Sequence, residues 1–268
     1  SRPWRTVWCR KSDGKLAGFI YNRQQEIIGW SGHEIGGDNG SGFGEVIALT
    51  TIPGSAATNS GERDELWMIV ERVIDGGTVK YVEFLEGDFE DDTDQEDAFF
   101  VDSGATFSGV ATDTITGLDH LEGETVKVLA DGSVHPDVVV TSGQVVLERE
   151  VTKAQIGLAA PYLWQSLKLE IGSATGTSMG KRKRVSNVLL VLDRTMNASI
   201  GPDASTQEIV PNYVEGAPMD APRALLTGEF LVTIDGEWER DPRLVMARDD
   251  PGPWTLLGMR PDVTGAEA

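Results

Sequence analysis

The stretch that decides the fold covers residues 65–85 and reads ELWMIVERVIDGGTVKYVEFL. Apolar residues, many of them β-branched or aromatic, dominate it, and the dipeptide Asp75-Gly76 interrupts them near the middle. An Asp-Gly pair between two runs of this composition is a favoured signal for a two-residue hairpin turn. The stretch therefore predicts two antiparallel strands, at residues 65–74 and 79–85.

An earlier stretch has the same organisation. Residues 6–11 and 16–21 are strand-like and flank Asp13-Gly14. The strand start Val7-Trp8 corresponds to Leu66-Trp67 in the later stretch. Two related hairpin units are therefore predicted in the first third of the chain.

Two further segments add a strand to each unit, and this suggests that the units are blades of a β-propeller. Residues 26–35 fit an outer strand of the first unit and residues 45–52 an inner strand of the second, which approaches the four strands of a propeller blade. On this interpretation the first unit lacks its inner strand, and earlier blades belong to an upstream segment. Residues 1–88 are thus expected to be the C-terminal portion of a propeller, with open sheet edges.

The remainder of the chain also predicts β structure, so the expected fold class is all-β. Short apolar segments bounded by Gly, Asp, Asn or Pro recur to the end, and no helix longer than two turns is predicted. Residues 98–150 are expected to form a small β-barrel or sandwich, with strands at 124–129, 138–140 and 145–147. Residues 151–268 are expected to form a C-terminal β domain, with long strands at 185–193, 229–234 and 244–247. This last domain includes an extended connection that contains Pro202, Pro211, Pro218 and Pro222.

A dense acidic run marks the clearest change in composition. Residues 86–102 contain no Lys or Arg, and their carboxylates are Glu86, Asp88, Glu90, Asp91, Asp92, Asp94, Glu96, Asp97 and Asp102. Like charges at this density resist folding into a core unless a cation or basic partner is present. Residues 89–97 are therefore predicted to be a connector, with the whole run mobile or at an interface, anchored by Phe99 and Phe100.

Overall charge and cysteine content exclude several classes of protein. The chain has 43 Asp and Glu against 23 Lys and Arg, a net charge of −20, which argues against electrostatic binding of nucleic acid or anionic membranes. The single cysteine, Cys9, excludes an intramolecular disulfide and a multi-cysteine metal site. The sequence has neither a run long enough to span a membrane nor a signal-peptide pattern.

Motifs that resemble catalytic or binding sites fail on their context. Residues 176–180 (GTSMG) match a nucleophile elbow, but a basic cluster and a strand follow, and all three histidines, His33, His120 and His135, precede Ser178. The glycine-rich residues 40–44 have no helix after them to bind an anion, and no histidine has a second ligand at metal spacing. We therefore expect a non-enzyme with no catalytic, cofactor-binding or metal-binding residues. Calcium bound to the acidic run and a carboxylate pair of the glycosidase type both depend on spatial arrangement and remain open.

One cationic cluster stands out in this acidic chain. Lys181, Arg182, Lys183 and Arg184 are consecutive, and we expect them to pair with carboxylates rather than with nucleic acid. The sequence leaves open whether those carboxylates belong to the same subunit. We expect the cluster to face a neighbouring subunit or another protein and not a DNA channel.

Three motifs in the middle of the chain resemble the tail nozzle proteins of bacteriophages. They are DAFFVDSG at 97–104, GLDHLEGETV at 117–126 and VLADG at 128–132. Residues 64–67 and 79–83 upstream, and 180–184 and 249–251 downstream, are similar to the same family, so the resemblance spans almost the whole chain.

The resemblance implies a β-propeller with attached β domains and no catalytic residues. It also implies a virion protein made in the host cytoplasm, which assembles as a homohexamer below the phage adaptor or head-to-tail connector and contacts other tail proteins. DNA would pass through its channel without specific binding, and no membrane would be involved.

A carbohydrate- or receptor-binding tail module is the alternative function. Such a module is also all-β and acidic, and it would use tryptophans as stacking platforms. The candidates are Trp30, Trp164, Trp238 and Trp254. An array of exposed tryptophans on one face would favour this alternative.

Overall fold

A computed structural model describes residues 6–53, 64–87, 89–90, 93–160, 162–173, 176–211 and 221–265. The all-β prediction is confirmed: in these residues the only helical segments are two short 3-10 turns, Gln95–Asp97 and Asp119–Leu121. The chain divides into two compact units, Ser1–Ala160 and Pro161–Ala268. Each unit is described by itself.

The first unit contains ten strands in its described part. They are β1 (Thr6–Arg10), β2 (Leu16–Asn22), β3 (Ile27–His33), β4 (Glu45–Ile52), β5 (Glu65–Ile74), β6 (Gly77–Phe84), β7 (Val101–Thr116), β8 (Thr125–Ala130), β9 (Ser133–Val139) and β10 (Gln144–Ala159). They form three antiparallel sheets, with the strand orders β1-β2-β3, β4-β5-β6 and β7-β10-β8-β9.

The two hairpins predicted from Asp-Gly form, with different turns. Asp75 and Gly76 both have positive φ, 48° and 71°, which suits the two-residue turn between β5 and β6. Asp13-Gly14 instead lies in a longer loop, because the register of β1 and β2 closes at Arg10 opposite Leu16. The two hairpins therefore differ in turn length, and β1 is an edge strand of its sheet whereas β5 is the central strand.

The first two sheets pack against each other through one apolar cluster. Its buried members are Leu16, Ile35, Val46, Leu66, Met68 and Val70, and Trp8 and Leu49 pack against them. The described residues give each sheet three strands rather than the four that the propeller interpretation requires. Two small stacked antiparallel sheets are the architecture that this region has.

The third sheet contains most of residues 98–150, for which a small barrel or sandwich is expected. It is an open four-stranded sheet, and no closed barrel forms in the described part of the chain. Two 16-residue strands, β7 and β10, dominate it. β10 runs across the domain boundary expected between residues 150 and 151, because Val151, Ala154 and Ile156 continue the buried core.

The second unit is also built from antiparallel strands. They are β11 (Tyr162–Gln165), β12 (Gly172–Ser173), β13 (Gly176–Thr177), β14 (Lys183–Thr195), β15 (Ser199–Ile200), β16 (Glu208–Ile209), β17 (Leu226–Thr233), β18 (Val245–Arg248) and β19 (Leu256–Gly265). β14 is the centre of the largest sheet, β17-β14-β19. Strands form at the three expected places, as the long β14, the eight-residue β17 and the four-residue β18. Pro218 lies outside the described residues. No described helix is long and apolar enough to cross a membrane.

Candidate functional sites and interaction surfaces

A fully buried arginine is the most unusual charged group of the first unit. Arg72 lies on β5 and has no exposed surface. Its guanidinium donates two hydrogen bonds to the carboxylate of Glu83 on the neighbouring strand β6, at 2.5 and 3.0 Å, and its Nε donates to the carbonyl oxygen of Gly36 at 2.7 Å. A bidentate ion pair whose arginine Nε also donates a hydrogen bond is an arrangement in which a buried charge is tolerated.

Gly36 links this arginine to a second charged residue, Asp102. The backbone N–H of Gly36 donates to Oδ2 of Asp102 at 2.5 Å, while its carbonyl accepts from Arg72. A side chain at residue 36 would meet the carbonyl oxygen of Ala159 at 2.1 Å, so only glycine fits between these strands. The loop before β4 is thereby fixed to β5 on one side and to β7 on the other.

Burial raises the pKa of Asp102 to about 6, although the hydrogen bond from Gly36 and the charge of Arg72 act in the opposite direction. Asp102 is the last carboxylate of the acidic run, and it is the exception to the expectation that this run avoids the core. Its carboxylate is occupied by a backbone N–H. We therefore assign Asp102 a structural role.

The raised pKa of Asp102 has a consequence for pH dependence. The folded state holds this proton more tightly than the unfolded state, whose pKa lies near 3.8. The stability that Asp102 contributes is therefore fully present below about pH 4 and is lost as the pH rises through 6. We expect the contribution of this one carboxyl group to be about 1–2 kcal/mol. Asp102→Asn keeps an acceptor for Gly36 and should be more stable than wild type at pH 7 but equal at pH 4.

Urea unfolding at both pH values measures this difference. Comparison with the variant is needed because Asp13, Asp38 and Glu122 have lowered pKa values and act with the opposite sign. A variant with the same pH profile as wild type would contradict the assignment.

The described part of the acidic run is tied to the third sheet. Lys153 on β10 pairs with Asp97 at 2.5 Å and with Glu96 at 3.5 Å, and the Gln95 side chain donates to the carbonyl of Gly132. The ring of Phe100 contacts that of Phe89 edge-on. A basic partner thus lies beside the acidic residues that contact the sheet. Asp88, Asp91 and Asp92 lie outside the described residues.

In the motifs that resemble catalytic and anion-binding sites, the polar groups are already hydrogen-bonded to other groups of the protein. The hydroxyl of Ser178 donates to Oε2 of Glu170 and accepts from the N–H of Ile171, both at 2.7 Å, and β14 rather than a helix follows the motif. In the glycine-rich loop, the carboxylate of Asp38 accepts from the N–H groups of Gly40 and Gly42. These are donors that a bound phosphate would need.

Each histidine also has a structural partner. His33 forms a hydrogen bond with Ser31 Oγ, and His120 forms one with the carbonyl of Ser103. The buried His135 forms a hydrogen bond with the carbonyl of Pro136 and accepts another from the N–H of Glu148. Among the described residues no group of three or more His, Cys, Asp or Glu side chains is arranged to hold a metal ion.

The cationic cluster at residues 181–184 is not one surface. Lys183 is fully buried, and its Nζ lies 3.0 Å from Oε1 of Glu170, whereas Lys181 and Arg182 are exposed. Arg184 lies 3.6 Å from Asp235. The cluster therefore pairs in part with carboxylates of the same chain, and our expectation that all four residues face a neighbour is wrong for Lys183. The physical reason is strand alternation, because β14 begins at Lys183 and its alternate side chains point into the core.

Two of the four candidate tryptophans are exposed. Trp30 on β3 is 68% exposed and Trp238 is 43% exposed, while Trp164 and Trp254 pack against the core of the second unit. The ring of Trp30 lies 4.6 Å from that of Phe19, which in turn stacks on Tyr21. We call the surface formed by Val7, Phe19, Tyr21, Ile28 and Trp30 the outer face of the first sheet.

The second sheet has a comparable surface on its side away from the shared cluster. On β5 the cluster residues Leu66, Met68 and Val70 alternate with Trp67 and Ile69, which point the other way. Their partners on β6 are Phe84 and Val82. We call the surface formed by Trp67, Ile69, Val82 and Phe84 the outer face of the second sheet.

Contiguous exposed apolar surface of this kind marks sites of association. In this structure Val7, Tyr21, Ile28 and Trp30 on the first outer face are all more than half exposed, as is Val82 on the second. The protein is thus all-β, and the stack formed by its first two sheets has an apolar outer face on each side. Comparison with known protein families finds no matching family model, and comparison with curated proteins finds no match.

Proposed function

We propose that this protein is a structural component of a bacteriophage tail, part of the nozzle through which DNA leaves the particle. The observation that carries the proposal is the stack of two repeated sheets whose outer faces are both apolar. Such a stack buries its remaining apolar surface only when further sheets cover it, as blades do in a propeller. The motifs at 97–132 that resemble phage nozzle proteins support the same function.

In this proposal the two small sheets are blades of a β-propeller and the remaining sheets are attached β domains. The protein acts as a homohexamer below the adaptor and contacts other tail proteins. It belongs to the virion after synthesis in the host cytoplasm, and it performs no catalysis and uses no cofactor.

Charge supports a wall that DNA passes without being held. The net charge of −20 disfavours phosphate binding, and each Lys or Arg that contacts a phosphate would add salt-dependent affinity. Of the cationic cluster, Lys183 is paired internally with Glu170. Lys181 and Arg182 are exposed and are the members that we assign to a contact with a neighbouring subunit or tail protein.

Binding of a carbohydrate or receptor is a second candidate, favoured by the aromatic group of Trp30, Phe19 and Tyr21, in which Trp30 and Tyr21 are exposed. Aromatic rings on a flat strand surface suit stacking on sugar rings. The apolar neighbours Val7 and Ile28 on the same face suit a protein partner better than a hydrated sugar.

The position of this protein in a phage particle distinguishes the nozzle function from receptor binding. We expect an antibody against the second unit to label assembled tails on the tail axis, at the end distant from the capsid. Label on peripheral fibres, together with retention of the protein by a glycan array, would favour the receptor-binding candidate.

A further inference from the structure

The start of β14 places two arginines side by side. An isolated antiparallel bridge joins Lys183 to Glu239, and each backbone N–H donates to the carbonyl oxygen of the other residue, at 2.6 and 2.8 Å. In an antiparallel pair the residues that flank a bridge also lie opposite each other. Arg182 and Arg240 are therefore neighbours across the bridge. Both are exposed, whereas the side chain of Lys183 is buried.

The other flank of the bridge adds a third arginine and a tryptophan. Arg184 lies opposite Trp238, and strand alternation places both on the same side as Arg182 and Arg240. Trp238 is 43% exposed, and the side chain of Arg184 is exposed to the same extent. We call the surface formed by Arg182, Arg184, Trp238 and Arg240 the arginine face.

The guanidinium groups of the arginine face have few partners in their own chain. Within the described ranges, neither Arg182 nor Arg240 forms an ion pair or a side-chain hydrogen bond. Nη2 of Arg184 lies 3.6 Å from Oδ1 of Asp235, which is too long for a hydrogen bond, and the Asp235 side chain is 91% exposed. Nε of Arg184 is buried and has no acceptor among the residues that the structure describes. The face therefore has donors to spare.

This arrangement disfavours folding of the isolated chain. Like charges directly opposite each other on paired strands are destabilising, and a buried N–H without an acceptor also has a cost. A carboxylate from outside would offset both effects, because the planar guanidinium donates two parallel hydrogen bonds to it. Arginine and tryptophan are also the residue types that contribute most to binding at the centre of protein interfaces.

Nucleic acid fits the arginine face less well than an acidic polypeptide does. Asp235, Glu237 and Glu239 are exposed in the same segment that carries Trp238 and Arg240. A nucleic acid strand presents phosphates at every nucleotide, so phosphates beyond the arginines would meet these carboxylates. A polypeptide can present its carboxylates only where the arginines lie.

We propose that the arginine face binds a carboxylate-rich segment of a different protein. Asp or Glu side chains of that segment accept hydrogen bonds from Arg182 and Arg240, and an apolar residue beside them packs on Trp238. The face lies within the second unit, so the proposal does not rest on a role in a phage tail.

A labelled synthetic peptide tests the proposal on the full chain. A short peptide that repeats the sequence Glu-Glu-Leu supplies carboxylates with apolar residues between them, and the same peptide with Gln in place of Glu is its uncharged control. We expect saturable binding of the Glu peptide in fluorescence polarisation at about 0.15 M salt, where exposed charges more than about 8 Å away are largely screened. The Gln peptide should not bind.

Two double variants show whether binding occurs at the arginine face. Arg182→Ala/Arg240→Ala should weaken binding of the Glu peptide by about tenfold or more. Arg23→Ala/Lys80→Ala removes the same charge from exposed positions of the first unit and should bind the peptide as wild type does. Circular dichroism of each variant confirms that the strands are retained.

Arg240→Glu separates the effect on the fold from the effect on binding. The introduced carboxylate lies opposite Arg182 and pairs with it across the bridge. The midpoint of urea unfolding should therefore rise, while the Glu peptide should no longer bind. A lower midpoint would show that Arg240 stabilises the fold, and it would contradict the proposal.

Three further results would overturn the proposal. Absence of binding by wild type, or an equal loss in the two double variants, would show that the arginine face is not the site. Tighter binding of single-stranded DNA of the same charge in the same buffer would assign the face to nucleic acid. Light scattering that finds wild type above the 29.0 kDa of one chain, and Arg182→Ala/Arg240→Ala at that mass, would assign the face to another copy.

Discussion

Replacing Arg72 by alanine is expected to lower the free energy of unfolding of the first unit by about 3–5 kcal/mol. The arginine has no exposed surface and uses its guanidinium for Glu83 and the carbonyl of Gly36. Its removal leaves the partly buried Glu83 carboxylate without its cation and the Gly36 carbonyl without its donor. It also removes the positive charge that lowers the pKa of Asp102.

The matched control is Lys80→Ala on the adjacent strand. Lys80 pairs with Glu71 at 3.1 Å, but its side chain is 58% exposed, and exposed pairs contribute about 0–1 kcal/mol. Urea unfolding of the full chain measures the change in the free energy of unfolding for each variant. Hydrogen exchange in peptides from β5 and β7 shows whether that change arises in the first unit. Equal losses in the two variants would mean that Arg72 is not the internal link that its contacts indicate.

Lys183→Ala is expected to lower the free energy of unfolding of the second unit by about 2–3 kcal/mol. The lysine is fully buried, while Glu170 is 34% exposed at its side chain and can recover part of its hydration. The loss should therefore be smaller than for Arg72. The pKa of Glu170 is lowered mainly by the hydrogen bond from Ser178 and then by Lys183, so the variant should also raise it.

The cluster supplies its own controls for this prediction. Lys181→Ala and Arg182→Ala remove the same charge from exposed positions two residues and one residue away, and we expect changes within about 0.5 kcal/mol. Hydrogen exchange in β14 and β19 reports the second unit directly. Similar destabilisation by all three substitutions would contradict the burial of Lys183 as the cause.

Local signals predicted most of the strands. Asp75-Gly76 has the backbone conformation that its turn requires, and the apolar runs on its two sides form the strands β5 and β6. β7 was missed because residues 101–116 are rich in Ser, Thr, Gly and Ala, which lack the apolar alternation of a half-buried strand. It is a strand because it pairs with β10 along its length, and that pairing is a long-range contact.

The partners of the buried charges could not be predicted either, because they too are long-range contacts. Arg72 meets Glu83 through the register of β5 and β6, and it meets Gly36 through a loop 36 residues away in sequence. Asp102 looked like one more member of a solvated acidic run, yet tertiary packing places it against Gly36. A run of four basic residues likewise suggested one surface, although strand alternation separates Lys183 from its exposed neighbours.

The proposal that this protein forms the wall of a tail channel is tested most directly by its copy number and position in cryo-electron microscopy of phage particles that contain it. We expect a sixfold ring around the channel at the end of the tail, in which the acidic chain lies beside the DNA path and does not bind the DNA. Absence from the particle, or density only in peripheral fibres without sixfold symmetry about the channel, would contradict it.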